Sequence, residues 1–205
     1  MQLETRHFEA FAKAEAKIQA DYKIYLALKD LLLDPSPQAR KDFRQLFTNY
    51  YGLNTGGLTP EFKDRFFEIL FSGEVIVDGR PDFVAILSEL SLFKRRKGDF
   101  AMPFSFVSKL VAMHQESSPI FDRRVADFFQ EYAPPASVEK AKRIEWFVGF
   151  LDRVSTDYQT WAVDDRMQPI LSKLRARDPR LDSCHVVRLI DLLVWRVGNQ
   201  KLLVA

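Results

Sequence analysis

Apolar side chains recur at intervals of three and four residues along most of the chain, which is the period of an amphipathic α-helix. Between residues 4 and 33 the pattern comprises Phe8, Phe11, Ala14, Ile18, Tyr22, Tyr25 and Leu26. The segment DPSPQ (34–38) ends this helix, because proline removes a backbone hydrogen-bond donor and its ring clashes with the preceding turn. The pattern therefore predicts one long helix over residues 4–33.

Proline, glycine and capping residues divide the rest of the chain into further predicted helices. The segment LTPEFKDRFFEIL (58–70) begins one of them, with Thr59 as the N-cap and Pro60 as the first helical residue. The segment GEVIVDGR (73–80) carries the only strand pattern, and it is too short and isolated to make a sheet. The other predicted helices span 37–50, 81–93, 103–114, 122–131, 136–154, 156–165, 168–177 and a last segment that begins at Asp182 or Ser183 and ends at Gly198. We expect an all-α fold of about nine or ten helices.

The composition is that of a folded protein. The chain has 205 residues, of which 47% are hydrophobic, enough to bury a core in one domain or in one domain with two lobes. Charged residues make up 28%, close to the globular average, which argues against global disorder. The formal net charge of +2 neither requires nor excludes a nucleic-acid partner, because a basic face is compatible with a balanced total.

The cysteine and histidine content narrows the chemistry. Cys184 is the single cysteine, which excludes an internal disulfide framework and a cysteine-rich zinc site. His7, His114 and His185 lack metal-ligand spacing, so we expect no metal and no organic cofactor. No apolar run approaches the roughly 20 residues of a membrane span, and a cytoplasmic protein without a membrane partner is the expectation.

Lys109 lies in an otherwise apolar segment, PFSFVSKLVAMH (103–114). A helix that begins at Pro103 and runs to about His114 places Phe106, Ala112 and Met113 next to the lysine, at three and four residues along the helix. Burial among such neighbours disfavours the ammonium and lowers the pKa of a lysine. A neutral amine is a nucleophile, so Lys109 is a candidate catalytic residue.

Asp122 stands between SSPIF (117–121) and RRVADFF (123–129). This position predicts a helix N-cap, whose carboxylate accepts hydrogen bonds from the backbone N–H groups of the next turn. Such a carboxylate is ionised and fixed in space, and it can stabilise a developing cation. The intervening loop is short enough to fold the second helix back on the first, which would bring Asp122 to Lys109.

Each of these residues also has an ordinary structural explanation. A lysine in an apolar segment usually extends its amine to water, and aspartate is a common N-cap in helices without chemistry. For Asp191 and Trp195 in the last helix, the ordinary explanation is a core tryptophan beside an aspartate that pairs with Arg188. Residue types alone leave these alternatives open.

Two motifs together resemble the helix–hairpin–helix DNA glycosylase superfamily, most closely the archaeal 8-oxoguanine DNA glycosylases and their bacterial relatives. The first motif is the lysine helix, a proline-containing loop and the start of a helix at Asp122-Arg123. The second is Asp191-Leu-Leu-Val-Trp195, since the archaeal enzymes carry an aspartate and a tryptophan at this spacing near their C-terminus. The matched motifs cover roughly residues 103–129 and 183–197.

The resemblance implies a role for each matched residue. Lys109 corresponds to the nucleophile that attacks the sugar C1′ and forms a Schiff base, and Asp122 to the carboxylate that assists base departure. Asp191 and Trp195 correspond to residues that contact the extruded base, because a base must leave the stack to be reached. Phe106 and Met113, beside the lysine, are expected to line the same pocket.

The chain departs from the superfamily at the hairpin. The segment LVAMHQESSPIF (110–121) contains no glycine, whereas the superfamily carries a glycine-rich turn whose amides hold a DNA phosphate. The candidates for phosphate contacts are instead the residues around the start of the Asp122 helix and the basic run before the lysine helix. These residues are Ser117, Ser118, Arg123, Arg124, Lys94, Arg95, Arg96 and Lys97; the usual alternative for such a run is a solvated loop.

The sequence thus leads to two hypotheses. The first is a DNA glycosylase, with or without AP-lyase activity, that acts on double-stranded DNA carrying an oxidised or modified base. It implies a glycosylase-like domain over residues 1–205 with two lobes and a cleft, one lobe formed by the N-terminal helices with the C-terminal helix and the other by residues 94–180. The second is a non-catalytic helical module that binds DNA or a protein, for example in a phage-defence operon.

Overall fold

The structure is a computed structural model that describes residues 1–54, 57–100 and 102–199. These residues form ten α-helices, one 3₁₀ helix and one short hairpin, so the predicted all-α class is confirmed. The α-helices are α1 (Thr5–Glu15), α2 (Gln19–Leu33), α3 (Pro37–Tyr51), α4 (Pro60–Ser72), α5 (Phe83–Leu90), α6 (Phe104–His114), α7 (Arg123–Phe129), α8 (Lys140–Ala162), α9 (Gln168–Arg175) and α10 (Val186–Asn199). The 3₁₀ helix is Pro179–Asp182.

The chain divides into two compact units. Unit 1 comprises Met1–Tyr22 and Glu116–Ala205, and unit 2 comprises Lys23–Gln115. Helix α2 crosses the boundary, so its first residues belong to unit 1 and the remainder to unit 2. These bounds differ from the expected lobes, because residues 94–115 lie in unit 2 and 116–180 in unit 1.

Unit 1 is built around helix α10, which contacts α1, α7, α8 and α9. Aromatic rings fill much of the space between these helices, and Phe128 stacks against Phe11 with ring centroids 5.7 Å apart. Phe129 stacks on Trp161 at 5.8 Å. Burial of such large apolar side chains supplies most of the favourable free energy of folding.

Unit 2 has a separate aromatic core on helices α3 and α4. Phe43, Phe47 and Phe66 are each fully buried, and Phe66 packs edge-on against Phe67 with centroids 5.2 Å apart. Helix α4 has the N-cap that the sequence predicts, Thr59, whose hydroxyl accepts a hydrogen bond from the Phe62 N–H. Helix α3 begins in the same way, at Ser36.

Several predicted helix boundaries are wrong. The helix expected over 4–33 is two helices, because the chain turns at residues 16–18 without proline or glycine. The helices expected over 136–154 and 156–165 are the single helix α8, in which the Thr156 hydroxyl bonds back to the Asp152 carbonyl and leaves the helix unbroken. Helix α10 begins at Val186 rather than at Asp182 or Ser183, and it continues through Gly198.

The segment 73–80 forms part of a small antiparallel hairpin, so the expectation that it makes no sheet is wrong. Strand β1 (Ile76–Val77) pairs with β2 (Arg80–Pro81). The turn residues Asp78 and Gly79 have φ of 49° and 75°, the left-handed conformation that Asp-Gly turns adopt in tight hairpins. Among the described helices, none has the length and hydropathy needed to cross a membrane.

Candidate functional site

Asp122 lies at the N-terminus of helix α7 in unit 1, and the predicted N-cap is confirmed. One carboxylate oxygen accepts hydrogen bonds from the backbone N–H groups of Arg124 at 3.0 Å and Val125 at 3.2 Å. The other accepts a hydrogen bond from the Trp195 indole Nε1 at 2.7 Å. Asp122 is 8% exposed, so three donors hold a buried carboxylate in one orientation, and all three stabilise its negative charge.

Trp195 and Arg124 complete this arrangement. The Arg124 guanidinium carbon lies 3.7 Å from the centroid of the Trp195 ring system, a cation–π contact that covers one face of the indole. The Nη1 atom of Arg124 is buried and has no hydrogen-bond partner among the described residues. The Asp122–Trp195–Arg124 cluster therefore joins a fixed anion, an aromatic plane and a guanidinium with unused donor capacity.

Gly198 allows helix α10 to approach helix α7 at this cluster. A Cβ atom at Gly198 would lie 2.9 Å from the Arg124 carbonyl carbon and 3.0 Å from the Arg124 Cβ. These separations are shorter than van der Waals contact, so only glycine permits the observed helix spacing. This spacing places the Trp195 indole within hydrogen-bond distance of Asp122.

Asp191 lies in the interior of unit 1, with 2% of its surface exposed. It forms an ion pair with Arg188 and accepts hydrogen bonds from the Ile120 N–H and, at 3.2 Å, from the Tyr158 hydroxyl. Burial raises the pKa of Asp191 to about 6, and the Arg188 guanidinium and the Ile120 amide oppose that rise. Burial and the Asp191 charge also raise the pKa of Tyr158 well above its ordinary value.

The Asp191 contacts tie helix α10 to α8 and to the loop before α7. Arg188 extends the connection, because its guanidinium donates to the Ser118 carbonyl at 2.8 Å. The pairing of Asp191 with Arg188 is the ordinary explanation that the sequence also allowed. Contact of Asp191 with an extruded base stays a prediction, and it would require some of these interactions to change.

Lys109 lies on helix α6 in unit 2, and its side chain is buried, with 5% exposed. The amine donates a hydrogen bond to the Ser105 hydroxyl at 2.9 Å, one helical turn earlier. It also lies 5.2 Å from the centroid of Tyr51 and 5.9 Å from that of Phe106. The ring contacts favour the ammonium form, because cation–π attraction requires the positive charge.

Phe106 thus lies beside the lysine, as the helical spacing predicted. The Met113 side chain is buried, and its backbone carbonyl accepts a hydrogen bond from the Lys29 amine at 3.1 Å. Its assignment to a base pocket stays a prediction. Lys109 and Asp122 belong to different units, and their cooperation in one reaction also stays a prediction.

The predicted DNA-contact residues have different surroundings. Arg123 is exposed and pairs with Asp127 at 2.8 Å, and the Ser117 carbonyl accepts a hydrogen bond from the Ser155 hydroxyl at 3.4 Å. Residues 94–97 form an exposed loop, in which Arg95 pairs with Asp99. Ser118 is buried, so a phosphate could reach its hydroxyl only after a rearrangement.

A basic groove in unit 2 was not predicted from the sequence. It has a volume of about 1110 Å³ and lies along helices α3 and α4. Arg40, Lys41 and Arg44 contribute to it from one face of α3. Their spacing of one, three and four residues within a helix was the signal that could have revealed this face.

Among the described residues, no three His, Cys, Asp or Glu side chains are grouped so as to hold a metal ion.

The comparisons with known proteins leave the family open. No protein-family model, no curated protein and no solved structure matches this chain significantly.

Proposed function

We propose that the protein is a DNA glycosylase in which Lys109 attacks the sugar of a modified nucleotide. The observation that carries the proposal is the buried Lys109 amine, oriented by Ser105 at 2.9 Å. A nucleophilic lysine needs burial and a fixed direction, because an amine in water is protonated and mobile. The resemblance of its helix and of the Asp122 segment to helix–hairpin–helix glycosylases supplies the reaction class.

The proposed reaction begins with loss of a proton from the Lys109 ammonium to a base. The neutral amine then attacks C1′ while the glycosidic C–N bond breaks, and the departing nucleobase takes up a proton. The attached nitrogen then gives up a proton, and its electron pair forms the C=N bond as the C1′–O4′ bond breaks. O4′ takes up a proton, and a protonated Schiff base remains on the lysine. The ring contacts of Lys109 favour the ammonium, so deprotonation is the step that binding of DNA has to assist.

Asp122 is proposed to stabilise the positive charge that develops on the sugar. Its three hydrogen-bond donors keep the carboxylate oriented, so that it needs no reorganisation during the reaction. Trp195 is the proposed stacking surface for the extruded base. Because Arg124 covers one indole face, the base either uses the opposite face or displaces the guanidinium.

Borohydride trapping tests the role of Lys109. With duplex DNA that carries 8-oxoguanine or another modified base, the protein is expected to form a covalent adduct upon reduction. Lys109→Gln should abolish the adduct, whereas Lys29→Gln, which alters a half-buried lysine of the same unit, should leave it intact. An adduct that survives Lys109→Gln removes Lys109 from the role, and the absence of an adduct with every modified base contradicts the proposal.

A non-catalytic DNA-binding module is the second candidate function. It is favoured by the interior contacts of Asp191 and by the position of the Lys109 amine over the Tyr51 ring. This function predicts salt-dependent binding to DNA, since phosphate contacts release counterions. It also predicts that no base is released from any modified substrate. Measurement of binding and of strand cleavage after alkali on the same oligonucleotides separates the two functions.

A further inference from the structure

We infer that the basic groove along helices α3 and α4 binds the sugar–phosphate backbone of a nucleic acid. The inference goes beyond the proposed function, because binding in this groove requires neither Lys109 nor Asp122. All residues that line the groove lie between Pro37 and Ser72, within unit 2. Its volume of about 1110 Å³ exceeds the roughly 300–1,000 Å³ typical of small-molecule sites, which favours a segment of a polymer as the occupant.

The charge in the groove is positive. Arg40 and Lys41 on α3 and Lys63 on α4 line it, and among the described residues none of the three has an acidic partner within ion-pair distance. The carboxylates nearby are already paired, since Asp64 binds Arg44 and Glu68 binds Arg65. Three uncompensated cations along one groove attract an anionic chain.

Two arginines of the groove lie over aromatic rings. The Arg40 guanidinium carbon is 5.4 Å from the centroid of Phe71, and that of Arg44 is 4.8 Å from the centroid of Phe67. The Arg40 guanidinium has no acidic partner among the described residues, whereas that of Arg44 pairs with Asp64. The edge of a guanidinium can bind a phosphate through two parallel hydrogen bonds, and its face can stack on a base.

Polar groups without charge also line the groove, together with Glu68, which pairs with Arg65. Thr48 and the amides of Gln45, Asn49 and Asn54 follow the basic residues, and the Asn54 carbonyl oxygen accepts a hydrogen bond from the Lys63 amine at 2.6 Å. Amides both donate and accept, which suits sugar oxygens and base edges. An acidic peptide would use the cations but leave the stacking faces and most amides unused, so a nucleic acid is the better match.

Charge reversal tests the groove. Arg40→Glu/Lys41→Glu should weaken binding of a labelled oligonucleotide by about tenfold or more at moderate salt, measured by fluorescence anisotropy. If two phosphate contacts are lost, the slope of log K against log salt should decrease by about 1.4 for a single strand and about 1.8 for a duplex. Measuring a single-stranded and a double-stranded oligonucleotide of the same sequence shows which form is bound. A smaller slope of log K against log salt with either form supports the inference.

A matched control removes the effect of net charge. Lys140→Glu/Lys142→Glu changes the formal charge by the same amount at exposed positions in the first turn of α8, and it should leave oligonucleotide binding nearly unchanged. Equal weakening by the two double variants contradicts the inference. The single variant Lys41→Glu changes one exposed position of α3 and is a second test of the groove. Circular dichroism checks that the variants are folded.

A polyglutamate peptide of matched charge decides between the two classes of polymer. If the groove reversals weaken binding of polyglutamate and leave oligonucleotide binding unchanged, the groove takes an acidic peptide and the inference fails. Borohydride trapping at saturating DNA reports on Lys109 separately. Failure of the groove inference and failure of the proposed glycosylase activity are therefore distinguishable.

Discussion

At the scale of single residues, local spacing predicted burial and capping but not the hydrogen-bond partners. The apolar neighbours of Lys109 predicted its burial, and the position of Asp122 before a helix predicted its N-cap, because both depend on residues within one turn. The bond from Lys109 to Ser105 is also local, at four residues. The bond from Trp195 to Asp122 spans 73 residues, and no local pattern encodes it.

The pH dependence of Asp191 provides a prediction at this scale. Burial raises its folded-state pKa to about 6 from the ordinary 3.8. The folded state then holds this proton more tightly than the unfolded state, so the stabilisation is fully present below pH 3.8 and is lost as the pH rises through about 6. A shift of this size corresponds to about 3 kcal/mol of unfolding free energy. The ¹³C chemical shift of the Asp191 carboxyl group should therefore titrate with a midpoint near pH 6.

The variant Asp191→Asn gives an independent check of the sign. It removes the titrating group, so the loss of unfolding free energy that it causes should be larger at pH 4 than at pH 7 in urea denaturation. A carboxyl midpoint below 3.8, with a loss that grows as the pH rises, would show that the ion pair with Arg188 outweighs burial. In that case the charged form is the one that folding favours.

At the scale of helices, the predictable features were those marked by particular residues. Proline, an N-cap hydroxyl and an N-cap carboxylate correctly located the starts of α3, α4 and α7. The turn between α1 and α2 contains neither proline nor glycine, and it forms because tertiary packing buries Ile18 there. Packing overrides local preference at such positions, so periodicity alone extends the helix through them.

The close approach of α10 to α7 predicts an unusual result for a glycine-to-alanine change. Within a helix this change ordinarily stabilises by roughly 0.5–1 kcal/mol. Gly198→Ala should instead destabilise by about 1–3 kcal/mol, because the new methyl group meets the Arg124 backbone and forces the helices apart. The Trp195 fluorescence should shift as the indole loses its hydrogen bond to Asp122.

Gly149→Ala in helix α8 is the matched control. Its Cβ would meet only the end of the Arg153 side chain, at 3.4 Å, and a flexible side chain can move away. Urea denaturation should therefore show Gly149→Ala to be neutral or stabilising. Similar unfolding free energies for the two variants would show that the spacing of α7 and α10 tolerates a methyl group.

At the scale of the whole molecule, the sequence predicted the fold class but not the grouping of the helices. The period of apolar residues is a property of each helix, so an all-α fold of about nine or ten helices followed from it. Which helices share a core depends on side chains far apart in the chain, as in unit 1, where α1 packs against α10. The basic groove was missed for the same reason, because its two sides come from α3 and α4.

Cooperation of Lys109 and Asp122 is the prediction that concerns the molecule as a whole. If both residues serve one reaction, their substitutions should be strongly non-additive, since loss of the nucleophile leaves the carboxylate nothing to assist. We expect Asp122→Asn to slow base release by about 10²–10³-fold, as loss of one electrostatic stabiliser does, and to cost at most about 1 kcal/mol of capping energy. Lys109→Gln/Asp122→Asn should then be no slower than Lys109→Gln. Single-turnover base release by all four proteins measures this, and losses that multiply would show that the two residues act independently.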